Sequence, residues 1–374
     1  MSKKKITKKL MAGAMALTMA TAMVTTGFAP MGNVVAYAST QTNNTFDTAE
    51  DLIFNTSIVE ELSSSDNVRY YKFTLDEASE LNISDNSSGS SDLHRSDYKY
   101  FTIYDENRTE VCSYSDYHKN WTTGSIYLTG GNYYLKLQSH YNESFTVTKD
   151  SLMESFVETQ TKNNDSFDDA YTISLSKQYK GVLAENDAKD YFKFEVPATG
   201  KVHVNIKNAI KEKAGNVETA KASIYDGANT PVYTQKSRQG EVVEEDVTLS
   251  SGTYYFMMTW NRYDYGNVGS YSFKLDYTMS SPKISSLKNS GKKKMTVKWG
   301  KVDGAAGYEL QYTKDKNFKS GITKKTLKPS VRTVSYSKLA KGKTYYVRVR
   351  AYTKVNGKTK YSGWSSKKSV VIKK

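Results

Sequence analysis

The chain carries one string of residues twice, and both copies keep the same spacing. Phe46-Asp47-Thr48-Ala49 returns as Phe167-Asp168-Asp169-Ala170, an offset of 121 positions. Tyr70-Tyr71-Lys72-Phe73 returns as Tyr191-Phe192-Lys193-Phe194, and Ile103-Tyr104-Asp105 as Ile224-Tyr225-Asp226, at the same offset. Leu128 with Gly131-Asn132-Tyr133-Tyr134 returns as Leu249 with Gly252-Thr253-Tyr254-Tyr255. Four matches sharing one offset mark a tandem duplication. The unit is about 115 residues, the size of a domain rather than of a solenoid turn. Inside it the apolar period is two: Tyr71, Phe73 and Leu75 alternate with polar residues, as do Val202, Val204 and Ile206. Gly130-Gly131 and Ser251-Gly252 precede Tyr-Tyr strands, as tight turns should. Short alternating strands at this spacing predict antiparallel β-sandwiches.

Composition narrows the class. A mean hydropathy of −0.64 excludes a polytopic membrane protein, and 13 % aromatic residues, with 30 Tyr, exclude a disordered chain. A single Cys excludes an intramolecular disulfide, and four His beside it argue against a structural zinc site. Residues 1–38 read as a secretory signal peptide: Lys3, Lys4, Lys5, Lys8 and Lys9 precede an uncharged stretch, and Ala36-Tyr37-Ala38 is a small-x-small cleavage site. Export without disulfides suits a Gram-positive bacterium better than a eukaryotic secretory route.

The net charge of +14 describes no single part of the chain. Residues 39–280 hold 22 basic and 36 acidic residues, whereas residues 281–374 hold 26 basic and 3 acidic. An acidic body is joined to a strongly basic C-terminal domain, and such asymmetry points to different partners for the two parts.

Asn164-Asp165-Ser166-Phe167-x-x-Ala170, Asp190-Tyr191-Phe192-x-Phe194, Ile224-Tyr225-Asp226 and Gly252-Thr253-Tyr254-Tyr255 resemble the bacterial pre-peptidase C-terminal domain. The resemblance covers 161–278 well and 41–150 less well. It implies jelly-roll-like sandwiches of the kind appended to secreted peptidases, with the collagen-binding modules of clostridial collagenases among its relatives. Two departures stand out: Arg69 takes the place of Asp190 in the first copy, and the second spaces its acids Asp187-x-x-Asp190. Residues 282–374 resemble a fibronectin type III domain of seven short strands. Trp299 would be a core anchor, Leu339 followed by Tyr345 a tyrosine corner, and Trp364 would stack on Arg348 or Arg350. The expected architecture is therefore all-β, three β-sandwiches in tandem: 39–153, 161–279 and 282–374.

Chemistry is sparse. His94, His118 and His140 fall in loop-like stretches, His203 points outward from a strand, and Cys112 reads as a small hydrophobe. No metalloprotease, nucleophile-elbow or phosphate-loop motif occurs. Asn164, Asp165, Asp168, Asp187 and Asp190 offer hard oxygens in two short segments, a candidate calcium site against the rival reading of ordinary caps and turns. The resemblance implies the same location, near the domain's N-terminus. Tyr117 and Trp121, and Trp260, Tyr263 and Tyr265, form aromatic loops able to stack on sugar or peptide faces, the rival reading being that they fold back onto the sheets. The expected protein is a secreted, monomeric, non-enzymatic binding or adhesion protein with no cofactor but calcium. Its sandwiches would present a face to an extracellular glycan or protein. Its basic domain would meet cell-wall polyanions rather than nucleic acid or membrane. The alternative is an accessory or targeting subunit of an extracellular hydrolase.

Overall fold

The computed structural model describes residues 43–86, 98–116, 121–159, 162–211, 218–260, 268–355 and 358–373. Residues 1–38, read above as a signal peptide, lie outside them. The described residues form strands and short turns, with one 3₁₀ turn at Phe46–Thr48 closed by reciprocal Thr45 and Thr48 hydrogen bonds. All belong to one compact unit, Ala36–Lys374.

The first sandwich has nine strands: β1 (Glu50–Asp51), β2 (Ser57–Glu60), β3 (Val68–Leu75), β4 (Ser79–Asp85), β5 (Lys99–Asp105), β6 (Glu110–Asp116), β7 (Ile126–Leu128), β8 (Gly131–Gln138) and β9 (Glu143–Ser151). One sheet runs β1-β3-β8-β5-β6 and faces a second of order β2-β9-β4-β7. Alternation decides which side chains go inward. In β3, Tyr71, Phe73 and Leu75 are buried while Lys72 and Thr74 are exposed.

The second sandwich repeats this topology strand for strand. Its members are β10 (Tyr171–Thr172), β11 (Gln178–Leu183), β12 (Lys189–Val196), β13 (Gly200–Asn208), β14 (Ala220–Asp226), β15 (Pro231–Ser237), β16 (Val242–Leu249), β17 (Gly252–Trp260) and β18 (Gly269–Met279). The sheets run β10-β12-β17-β14-β15 and β11-β18-β13-β16, the first sandwich's orders advanced by nine. Register is kept too: Phe73 pairs with Tyr133 and Phe194 with Tyr254. Each copy builds the same aromatic nest outside its core. Phe46 sits 4.5–5.2 Å from the rings of Tyr70, Tyr104 and Tyr134, and Phe167 sits 4.7–5.4 Å from Tyr191, Tyr225 and Tyr255.

The third sandwich comprises β19 (Ile284–Gly291), β20 (Lys294–Trp299), β21 (Gly307–Thr313), β22 (Thr323–Leu327), β23 (Thr333–Tyr336), β24 (Thr344–Val355), β25 (Lys358–Tyr361) and β26 (Lys368–Val371). The sheets are β19-β20-β23 and β22-β21-β24-β25, with β26 also on β24. Eight strands stand where seven were expected, because the last is broken. At the break, Ser362 Oγ and Ser365 Oγ accept from Ala351 N–H and Val349 N–H and take over the ladder. Trp364 thereby turns onto Arg348 and Arg350, 4.2 and 4.4 Å from ring to guanidinium. Arg348 also covers Phe318, Arg350 covers Tyr361, and Arg332 covers Tyr308. Met295, Val297, Trp299, Val347 and Val349 fill the core. Tyr345 is buried beside Leu339, and its hydroxyl oxygen accepts from Ala340 N–H at 3.0 Å, closing the corner.

The sandwiches are joined by apolar contacts. Ala78, Tyr127 and Leu152 of the first pack against Val182, Ala184, Trp260 and Val268 of the second. Asn186 Nδ2 bonds Thr129 Oγ1 and Tyr133 Oη across the same junction. At the next junction, Thr199 N–H donates to Asp303 O, and Gly304 lies so close to Pro197 and Ala198 that a Cβ would collide with both.

Candidate metal centre

The second sandwich gathers carboxylates at the base of β12, where the linker from the first sandwich arrives. Asp190 is the second residue of that strand, and Asp187 lies just ahead of it. Glu158 reaches them from the linker, and the three can offer oxygens within 4.8 Å of one another, all three residues buried. Asn164 and Asp165 follow in the chain. Asn164 is held by its backbone, its carbonyl accepting from Tyr191 N–H at 2.8 Å and its N–H donating to Glu158 Oε1 at 3.3 Å. Asp165 faces Asp187, and Glu154 adds a further carboxylate from the linker. From β18, the Tyr271 hydroxyl donates to Asp190 Oδ2 at 2.5 Å. That contact explains Gly181, since a Cβ there would collide with the Tyr271 ring and hydroxyl.

Four oxygens of this group are buried without a hydrogen-bond partner: Glu154 Oε2, Asn164 Oδ1, Asp165 Oδ1 and Asp187 Oδ2. An unsatisfied buried polar atom costs about 1–3 kcal/mol, and an uncompensated buried charge more. The titration of the group reports the same conflict. Burial, then the negative charge of Asp190, pushes Glu154 up to about 8. Burial first, then neighbouring carboxylates, drives Glu158 and Asp187 well above the carboxylate range. Asp190 is also raised by burial, although Tyr271 and Asn164 oppose the rise.

Such a set fits a hard cation. Every donor is oxygen, the arrangement is irregular, and four of the oxygens are buried without a hydrogen-bond partner beside the Glu158, Asp187 and Asp190 group. Calcium takes six to eight oxygens in flexible geometry, which suits mixed carboxylate and amide donors better than the strict octahedron of magnesium. Glu154, Glu158, Asn164, Asp165, Asp187 and Asp190 are the residues that would hold it. A bound divalent ion would supply the positive charge that the buried carboxylates otherwise replace with protons.

Of the sequence-predicted ligands, Asn164, Asp165, Asp187 and Asp190 come together here. Asp168 does not. It is exposed in the turn after Phe167, where the Phe167 ring anchors the backbone into its nest and turns the side chain to solvent. Sequence reasoning missed Glu154 and Glu158 because both lie in the linker, outside either repeat. Their four-residue spacing just ahead of Asn164-Asp165 was the available signal.

The first sandwich solves the equivalent position differently. Arg69 occupies the place of Asp190. It donates to Glu60 Oε2 at 3.0 Å and spans both oxygens of Asp66, the counterpart of Asp187, at 2.7 and 3.0 Å. Glu60 stands where the second copy has Gly181 and also accepts from the Tyr71 hydroxyl. The guanidinium's hydrogen bond holds the Asp66 carboxyl below its ordinary value. A fixed internal cation thus stands where the second copy has an acid.

The aromatic expectation is corrected for the two residues that are described. Trp121 stacks on Phe101 at 6.3 Å against the first core, and Trp260 packs between the second core and the junction cluster. Both bury ring area that an exposed tip would leave wet. Tyr117, Tyr263 and Tyr265 lie outside the described residues, as do His94 and His118. His203 is exposed, its Nδ1 3.0 Å from Asp246 Oδ1. Cys112 packs, partly buried, against the first core.

Comparison with solved structures finds a collagenase pre-peptidase C-terminal domain from Bacillus anthracis, 19 % identical over 29 % of this chain and 94 % of that one, with a TM-score of 0.24. It also finds a two-domain fibronectin type III segment of chicken tenascin, 13 % identical over 46 % of this chain and 98 % of that one, with a TM-score of 0.28. A family model matches residues 280–368, and with the closed tyrosine corner of Tyr345 it identifies the third sandwich as a fibronectin type III domain.

Proposed function

We propose that this chain is a secreted, non-catalytic binding protein. Its second sandwich is held in shape by calcium, and its basic fibronectin type III domain anchors it to the anionic polymers of a Gram-positive wall. The observation that carries the anchoring role is the concentration of 26 basic against 3 acidic residues in 281–374. That imbalance exceeds the net charge of about 2–8 that solubility asks of a small domain. Lys292, Lys293, Lys294, Lys324, Lys325, Lys358, Lys360, Lys367 and Lys368 are all exposed. Lysine is a hydrated point charge suited to diffuse polyanions rather than to bidentate recognition. The paired acidic sandwiches are left to present a face to an extracellular glycan or protein.

Cosedimentation of the full chain with purified walls tests the anchoring role. Binding is expected at low salt and is lost toward about 0.5 M, as the Debye length falls well below 10 Å. Stripping the walls of anionic polymers should remove it. Binding that survives both treatments, or none at low salt, refutes charge-driven anchoring. Copurification of a secreted hydrolase with the chain would favour an accessory role instead.

A further inference from the structure

Three charged residues are buried together inside the first sandwich, away from the Arg69 cluster. Lys99 begins β5 in one sheet, Asp85 ends β4 in the other, and Glu143 begins β9 beside β4. Their side chains are 3 %, 0 % and 6 % exposed. Lys99 Nζ lies against the Asp85 carboxylate, and Glu143 Oε2 is 3.4 Å from the same nitrogen. Ser139 Oγ holds the other Glu143 oxygen at 2.5 Å. Period two carries all three inward with the core: Leu81-Ile83-Asp85, Lys99-Phe101-Ile103 and Glu143-Phe145-Val147 are each buried at every second residue. Phe101 and Phe145 pack edge-on at 5.3 Å beside them.

We propose that Lys99 and Asp85 are joined by an intramolecular amide bond that the folded sandwich forms by itself, with Glu143 carrying the protons. Lys99 Nζ passes a proton to Glu143 and attacks Asp85 Cγ as the neutral amine. The C–N bond forms and the bond to one Asp85 oxygen breaks. Two of the three ammonium protons reach that oxygen through Glu143, the third stays on the amide nitrogen, and one water leaves. No oxidant, nucleotide or other co-reactant is needed.

The surroundings favour this direction. Bulk water normally holds such a condensation on the side of the separate ions, but these side chains are buried away from it. Fixed contact supplies the effective concentration that intermolecular amines lack. A buried ion pair pays the desolvation of two charges, whereas the amide carries none. The second copy is an internal control. Ile206 and Ala220 stand where Asp85 and Lys99 would fall, and both are buried in its apolar core. Tyr271 holds the register position of Glu143, pairing with Gly181 as Glu143 pairs with Glu60.

Mass spectrometry of the purified full chain is the test. The intact chain should weigh one water less than its sequence from its determined N-terminus. A denatured tryptic digest should leave Lys99 uncut and yield a branched peptide joining Lys99 to Asp85. Lys99→Arg and Glu143→Gln should each restore the full mass and lose the branched peptide. Amide exchange in β5 and β8 shows whether either variant still folds. The wild type decides the proposal alone: full sequence mass with Lys99 cleaved by trypsin overturns it. Water loss without the branched peptide overturns it equally. A Glu143→Gln chain that folds and still carries the bond removes Glu143 from the step.

Discussion

Removing protons and adding calcium should act on the second sandwich in opposite directions. Glu154 rises from an ordinary 4.5 to about 8 in the folded chain because burial and Asp190 disfavour its charge. The folded state therefore holds a proton that the unfolded state has released throughout that interval. Stability is unpenalised below 4.5, falls as pH climbs, and levels off once the folded group has also ionised near 8. Each such group costs about 1.4 kcal/mol per pH unit, so Glu154 alone costs about 4 kcal/mol between pH 5 and 8. Glu158 and Asp187 shift in the same direction and steepen the fall. Calcium binds the ionised form. At 100 times its dissociation constant it returns about 2.7 kcal/mol by mass action. With a constant on the order of 10⁻⁴ to 10⁻³ M, as in extracellular modules, that is about 10 to 100 mM calcium. The assay is amide exchange of Lys189–Val196 and Gly252–Trp260 in the full chain at pH 5 and pH 8, with calcium or chelator. Protection should fall with pH under chelator and recover with calcium. Asp190→Ala should abolish the recovery, while Val68–Leu75 of the first sandwich should not respond. Protection that is flat between the two pH values, or an equal calcium response in both sandwiches, would refute the reasoning.

Other perturbations probe the frame around the site. Arg69→Ala leaves Glu60 buried without its guanidinium and should cost about 3–5 kcal/mol in the first sandwich, with no rescue by calcium, read from denaturant unfolding. Tyr345→Phe removes the hydrogen bond to the Ala340 N–H and should cost about 1 kcal/mol; an unchanged unfolding midpoint in the third sandwich would contradict the corner. Gly304→Ala sets a Cβ at a φ of 75° and 2.7 Å from the Ala198 Cα, so it should open the junction between the second and third sandwiches, visible as a larger radius of gyration in X-ray scattering.

The architecture was legible because two signals reinforced each other. Period-two alternation names the inward face of β3, β13, β20 and β24, and the repeat supplies a second reading of the same strands. The candidate metal centre was half legible. Asp190 opens a motif and Asp187 stands three residues ahead of it, but Glu154 and Glu158 enter from a linker that has no periodicity to betray its direction. The Lys99 cluster was not read at all, although its pattern was present. A charge at an inward step of an apolar alternation is a buried charge, and three occur at Asp85, Lys99 and Glu143. What alternation cannot supply is that strands from opposite sheets bring those ends together. Trp121 and Trp260 failed for the converse reason: a ring in a polar stretch of sequence can still fold over its own sheet.

The stacked arginines of the third sandwich divide its positive charge into two populations. Arg332, Arg348 and Arg350 are all committed to ring faces, and Arg350 also to Glu309 at 3.1 Å. The other 23 basic residues of 281–374 are lysines. The outward field of the domain is therefore chemically erasable without touching the stacked arginines. Acetylation of its amines would strip the field and leave the stack standing, whereas reductive methylation would keep the charge. A reagent specific for guanidinium groups would do the reverse, loosening the fold while sparing the charge that faces outward.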